Sequence, residues 1–338
     1  MALTWWKYKK QITIDNTKIN EDLTDFPVLV KLDSSNFDFT KAKVDWSDIR
    51  FTADDDITLL SYERERHDSA NQEAEYWVKI SSVSSSADTT FYMYYGNSSA
   101  SDWSNPTNVW DNHYKAVYHL NETGTDTRKD STANGNDWTP ENGVAGANGQ
   151  IAGANSFDGS NDYIKMGNWL SDINSAGKIT FEYYENTTST NDQTLWSTNN
   201  LTGANTLLIS LRNLQYWDNN GNASHANLNS DYSDGNFHYI IAIIDTSAST
   251  RAYYEDGSSI GSGSFASGSS ISNSSDMSLG KRSGDSYYVN GLIDEVRVSD
   301  TVRSDAWIKA SYNSNNNSLL AVGAEQQIQN VIFYSFNF

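Results

Sequence analysis

The sequence predicts an all-β chain, built as two β-sandwiches in tandem. Three observations carry that expectation. Short runs rich in Val, Ile, Tyr, Phe and Thr recur along the chain, divided by Gly, Asn, Asp and Ser, which is the punctuation of sandwich strands. Long amphipathic helical periodicity is absent. The 338 residues are 37 % hydrophobic, on the low side, but include 20 Tyr and 11 Trp. A chain of this length suggests two or three domains and can bury substantial cores.

The strand candidates fall into two series. The first holds "QITID" (11–15), "FPVLVKL" (26–32), "DIRFT" (48–52), "ITLLSYER" (57–64), "EAEYWVKI" (73–80) and "TTFYMYY" (89–95). The second runs through "YKAVYHL" (114–120), "NDYIKM" (161–166), "KITFEYY" (178–184), "TLLISLR" (206–212), "FHYIIAIID" (237–245), "RAYYEDG" (251–257) and "GLIDEVRVS" (291–299). Between the series lies the polar stretch 96–112, with one of only three prolines. It sets the expected boundary: one sandwich over 1–106, a second over 107–325, and an uncharged apolar tail over 326–338. Such a tail is an aggregation hazard if solvated, so it is expected to dock on its own domain or on another subunit. The Gly/Ser-rich stretch 257–276 is expected to contain hairpin turns. The best helix candidate is "SDAWIKASY" (304–312), opened by Ser304 as N-cap with Asp305 in the first turn.

Charge excludes several functions. A formal net charge of −20 repels DNA, RNA and anionic membranes, and favours divalent cations wherever carboxylates converge. There are no cysteines, so disulfides, thiolate chemistry and Cys-based zinc sites are excluded. The opening "MALTWWKYKKQITID" has no apolar h-region, so no signal peptide is expected, and no run approaches the roughly 20 apolar residues of a membrane helix. The nucleophile elbow, the phosphate loop and the zinc helix motif are missing. The five histidines are scattered without ligand spacing, with His119 and His238 in strand-like runs.

Five ordered pieces of the second half resemble the laminin-G-like branch of the concanavalin A-like lectin/glucanase superfamily. They are "VYHLNE" (117–122), "DSTANGNDWT" (130–139), "NSFDGSNDYIKM" (155–166), "GNFHYIIAIID" (235–245) and "SLGKRSGDSYYVNGLIDEVRVSD" (278–300). The resemblance implies a jelly roll that binds glycan or protein. It also implies a calcium joining the first strand to the last, with Glu122 and Asp294 as ligands, although Asn121 stands where the family usually has Asp. The first half resembles a domain of unknown function that commonly precedes such a module in bacterial, archaeal and viral surface proteins, and this second resemblance implies architecture only.

Asp158 and Asp162 in "FDGSND" are read two ways: as further calcium ligands, or as side chains capping a turn. Sugar binding needs exposed aromatics beside polar side chains. The candidates are Tyr216, Trp217, Asp218 and Asn219 on an expected hairpin tip, together with Trp169, Trp196, Tyr287 and Tyr288. The alternative for all of these aromatics is burial in the sandwich. Glycoside hydrolysis needs two carboxyl groups on one face. Glu182 and Glu185 are three residues apart, on opposite faces of a strand, as are Asp294 and Glu295. A non-catalytic recognition or structural protein is therefore expected, extracellular or on a virion surface, with glycan or a surface protein as partner, possible Ca2+, and homo-oligomeric or docked through its tail. A cellular adhesin and a carbohydrate-active enzyme are the rivals.

Overall fold

The computed structural model describes residues 3, 5–167, 176–190, 193–197, 206–210, 213–217, 223–227, 233–271, 278–282 and 287–328. Six strands come first: β1 (Tyr8–Ile14), β2 (Leu23–Asp33), β3 (Arg50–Ala53), β4 (Tyr62–Asp68), β5 (Glu73–Val83) and β6 (Thr89–Tyr95). A longer series follows: β7 (Tyr114–Tyr118), β8 (Thr139–Glu141), β9 (Ala145–Asn148), β10 (Gly153–Asp158), β11 (Tyr163–Lys165), β12 (Lys178–Asn186) and β13 (Thr194–Ser197). It continues with β14 (Thr206–Ser210), β15 (Asn213–Trp217), β16 (Ala223–Asn227), β17 (His238–Asp245), β18 (Thr250–Glu255), β19 (Ser258–Ser264), β20 (Ser278–Leu279) and β21 (Asn290–Ser299). Helix α1 (Asp305–Asn315) and strand β22 (Leu320–Gln327) close the chain. The Ser304 hydroxyl accepts the Trp307 N–H at 3.2 Å, as the capping pattern predicts.

The chain divides into two units. Unit 1 is Met1–Val109 with Asn313–Phe338, and unit 2 is Trp110–Tyr312. Unit 1 has a four-stranded sheet, β22-β1-β6-β3, and a three-stranded sheet, β2-β5-β4. Alternation puts Ile12, Ile14, Phe51, Phe91 and Met93 of the first sheet inside, with Val28, Val30, Tyr76 and Val78 of the second. Phe51 meets Tyr76 across the gap with ring centroids 5.7 Å apart.

The final strand corrects the expected boundaries. β22 pairs antiparallel with β1, from Tyr8 opposite Gln327 to Ile14 opposite Leu320. The second unit therefore ends at Tyr312 rather than 325, because residues 320–327 satisfy the open edge of β1. The start of the expected tail docks at home too. Ile328 donates its N–H to the Lys7 carbonyl at 2.8 Å and packs against Leu3, Trp6 and Tyr94. Residues 329–338 lie outside the described ones.

Unit 2 stacks two larger sheets. One runs β19-β18-β17-β12-β21-β10-β9, with β7 also paired to β21; the other runs β16-β15-β14-β13-β20-β11-β8. One continuous core joins them and includes Tyr118, Trp138, Phe181, Trp196, Ile240 and Val296. Phe181 of the first sheet stacks on Trp196 of the second at 4.4 Å. The expected Gly/Ser hairpin is present: β18 and β19 pair around Asp256 and Gly257, both with positive φ.

Candidate functional site

One rim of unit 2 gathers exposed aromatic and polar side chains. It is set by the turn between β10 and β11 and by the segment that leads from β20 into β21. Asp158 accepts the N–H groups of Ser160 at 2.8 Å and Asn161 at 3.4 Å. Gly159 has φ +78° and lies against the Asn290 side chain, so a Cβ there would clash as well as strain the turn. Asp162 Oδ2 accepts the Asp158 N–H at 3.1 Å, while its buried Oδ1 has no hydrogen-bond partner among the described residues. Burial pushes the Asp162 carboxyl up; the Asp158 N–H bond opposes this and the charge of Asp158 adds to it. Both aspartates thus build the turn, whatever else they hold.

The neighbouring segment carries two cation–aromatic pairs on consecutive residues. The Lys281 ammonium lies 3.7 Å from the centre of the Tyr163 ring, and the Arg282 guanidinium 5.1 Å from that of Tyr287. Tyr287 is 48 % exposed and Tyr288 is half-buried. The Tyr287 carbonyl accepts the Thr194 N–H at 2.8 Å, which fixes the backbone beneath the ring. Exposed ring, cation and adjacent polar turn form a surface on which a sugar face can stack while its hydroxyls find partners.

Two expected glycan contacts are corrected. Trp196 and Tyr216 are fully buried. Trp196 fills the gap between the sheets against Phe181, and the Tyr216 hydroxyl donates to the Ser270 carbonyl at 2.7 Å. An indole sealed in a core cannot stack on a ligand. The Trp217 side chain lies outside the described residues, as do Trp169, Asp218 and Asn219.

The implied calcium ligands sit apart from the rim. Glu122 Oε1 accepts the Lys129 N–H at 2.8 Å. Asp294, fully buried, accepts the Ile151 N–H at 3.0 Å. Asn121 accepts the Gly153 N–H at 2.6 Å. Among the described residues, none of Glu122, Asp158, Asp162 and Asp294 joins a cluster of three or more metal-capable side chains.

What sequence reasoning missed is a buried ionic network in unit 2. Glu295, at φ +51°, sits where the pairing of β21 with β12 shifts register. The carboxylate accepts from Arg297 at 2.5 Å and meets His119 Nδ1 at 2.6 Å. Burial pushes Glu295 up, but the charges of His119 and Arg297 outweigh it and hold the carboxyl below its ordinary value. Arg303 makes a two-pronged bond to Asp111, at 2.7 and 2.9 Å. Glu182 and Glu185 are also buried, so neither presents an acid to a substrate. No sequence motif marks this network; its signal is the density of charge within "LIDEVRVSD", which a bulge turns inward.

These features define unit 2 as a lectin-like sandwich with an aromatic rim. Residues 158–309 match the family model described as the concanavalin A-like lectin/glucanases superfamily, and residues 45–141 match a domain of unknown function, DUF2341. The chain carries a concanavalin A-like domain preceded by a DUF2341 domain. No curated protein matches it. Among solved structures, the binding domain of Paraclostridial Mosquitocidal Protein 1 is 14 % identical, with 60 % of this chain and 52 % of that one covered and a TM-score of 0.49. The botulinum neurotoxin serotype D binding domain is 12 % identical, covers 60 % and 51 %, and scores 0.47. The receptor-binding domain of the botulinum neurotoxin C/D mosaic serotype is 14 % identical, covers 60 % and 51 %, and scores 0.48. The chain spans about half the length of these structures.

Proposed function

We propose that the protein is a non-catalytic recognition module that binds glycan at the rim of unit 2. The observation that carries the reading is the exposed Tyr287 ring backed by Arg282, on a concanavalin A-like sandwich whose strand acids Glu182, Glu185, Asp294 and Glu295 are buried. The protein acts outside the cell, displayed on a virion, where many copies convert weak sugar contacts into avidity. The uncharged apolar sequence 329–338 supplies an attachment segment of the kind such display needs. Calcium at Glu122 and Asp294, or at Asp158 and Asp162, is part of the proposal.

A glycan array with the full chain tests it. Tyr287→Ala is expected to lower glycan affinity about fivefold, the scale of one aromatic stacking contact, with an unchanged melting curve. Equal binding by the variant removes the rim. Excess EDTA is expected to lower the melting temperature, because an ion held only by the folded state stabilises it; superimposable curves remove the ion. Capsid or portal genes beside the coding sequence are expected for the virion reading, and their absence favours the cellular adhesin. Turnover of laminarin or a related glucan overturns the non-catalytic reading.

A further inference from the structure

Unit 1 holds a cavity of about 830 Å³ walled by tryptophan. Trp5, Trp6 and Trp103 line it, with Arg50, Lys7 and Asn97. Trp5 is 75 % exposed and Trp103 48 %. Six large hydrophobic side chains stand exposed among the described residues; two are tryptophans, and both face this cavity. An exposed indole forgoes the largest apolar burial a side chain offers, so two of them on one cavity call for a ligand.

The walls are built and held. The fully buried carboxylate of Asp48 accepts the N–H groups of Gly96 at 2.8 Å, Asn97 at 3.1 Å and Lys43 at 3.0 Å. Its carbonyl takes the Trp6 indole N–H at 2.7 Å. Gly96 has φ +87° and its backbone lies against the Tyr8 ring, a position where a Cβ would clash. Arg50, nearly buried, donates to the carbonyls of Ser47, Ile49 and Ser101. Its guanidinium lies 5.4 Å from the ring centre of Trp6 and 5.5 Å from that of Trp103. Charge-assisted bonds of this kind fix the loop from 96 to 103 before any ligand arrives.

The chemistry of the lining selects the ligand. The chain has 43 acidic and 23 basic side chains, yet the charged residues on this cavity are Lys7 and Arg50, both cations, with no carboxylate. Indole faces take the C–H face of a pyranose, and a cationic wall in an acidic protein favours an anionic substituent. We infer that unit 1 carries a second saccharide site, which binds an oligosaccharide bearing a carboxylate or sulfate through Trp5 and Trp103, with Lys7 facing the anion.

The test is an array of uronate-, sialate- and sulfate-bearing oligosaccharides, each beside its neutral counterpart, probed with the full chain and its variants. Wild type is expected to bind at least one anionic member over its neutral counterpart. Trp5→Ala and Trp103→Ala are each expected to weaken that binding about fivefold or more, and Lys7→Glu to erase the preference for the anion. Trp5 is exposed enough that its truncation leaves the melting curve in place, which separates loss of the site from loss of the fold. Three results overturn the inference: no anionic member bound, neutral members bound as well as anionic ones, or binding that Trp5→Ala and Trp103→Ala leave intact while Tyr287→Ala abolishes it. The last assigns the ligand to the rim of unit 2.

Discussion

In unit 1 the indoles of Trp5 and Trp103 stand in solvent beside a cavity, whereas in unit 2 those of Trp138 and Trp196 are sealed between sheets. Trp103 comes from a stretch as dense in Asn, Asp and Ser as theirs: "SASDWSNP" in unit 1, against "NGNDWTP" and "TLWSTNN" in unit 2. Local polarity therefore does not separate a binding platform from a core plug. The difference comes from what lies opposite. Trp138 stacks on Tyr118 with centroids 3.5 Å apart, and Trp196 meets Phe181 from the facing sheet. Trp103 lies outside the sheets, in the stretch after β6, and its neighbour is the guanidinium of Arg50. An indole is consumed where a facing ring covers it and stays on show where none does.

Three measurements sharpen or break this contrast. The largest effect is expected from truncation after Leu319, which removes β22 and strips the edge of β1. Since a domain holds only about 5–15 kcal/mol in all, unit 1 is expected to lose its cooperative melting transition while that of unit 2 persists. A chain that keeps both transitions shows that β22 is an ornament. Next comes Trp196→Ala, which hollows the core of unit 2 and is expected to cost about 3–5 kcal/mol in denaturant melts; a cost below about 1 kcal/mol means the indole is not packed as described.

The smallest effect concerns His238. Burial lowers its pKa, but bonds to Asp256 at 3.0 Å and Asp234 at 3.3 Å raise it above the ordinary 6.5, with Glu255 also 3.8 Å away. A raised folded-state pKa stabilises fully below the unfolded value near 6.5 and fades as pH climbs through the folded value. The gap in stability between wild type and His238→Asn is therefore expected to be present at pH 5.5–6, at about 1 kcal/mol or less for a half-buried cluster open to solvent screening, and to close by pH 9. A gap that is flat with pH refutes the ion pairs.

The sandwich character was plain from the sequence because alternation is local: the burial of "YKKQITI" in β1 follows period 2. The Asp158 turn was legible for the same reason, since an aspartate followed directly by a glycine declares its own geometry. The pairing of Ile14 with Leu320 was not, because nothing within reach of either segment names its partner. Nor was the inward turn of Glu295, which depends on a bulge, or the fate of Trp196, which depends on the opposite sheet. The stretch 96–112, read as a boundary, does hold the division between Val109 and Trp110, but it also supplies Asn97 and Trp103 to a cavity wall, which polar composition alone does not announce.

The position of β22 also imposes a timetable on synthesis. The ribosome must make about 300 further residues after β1 before its partner strand exists, a delay of roughly 15–60 s at ~5–20 residues per second. Throughout that wait the nascent N-terminal layer has one open flank, guarded by the lysines of "KYKK", and the whole inserted domain has time to fold first. Completion of the first-made layer is thus the last step, and it reports that everything between has already been translated.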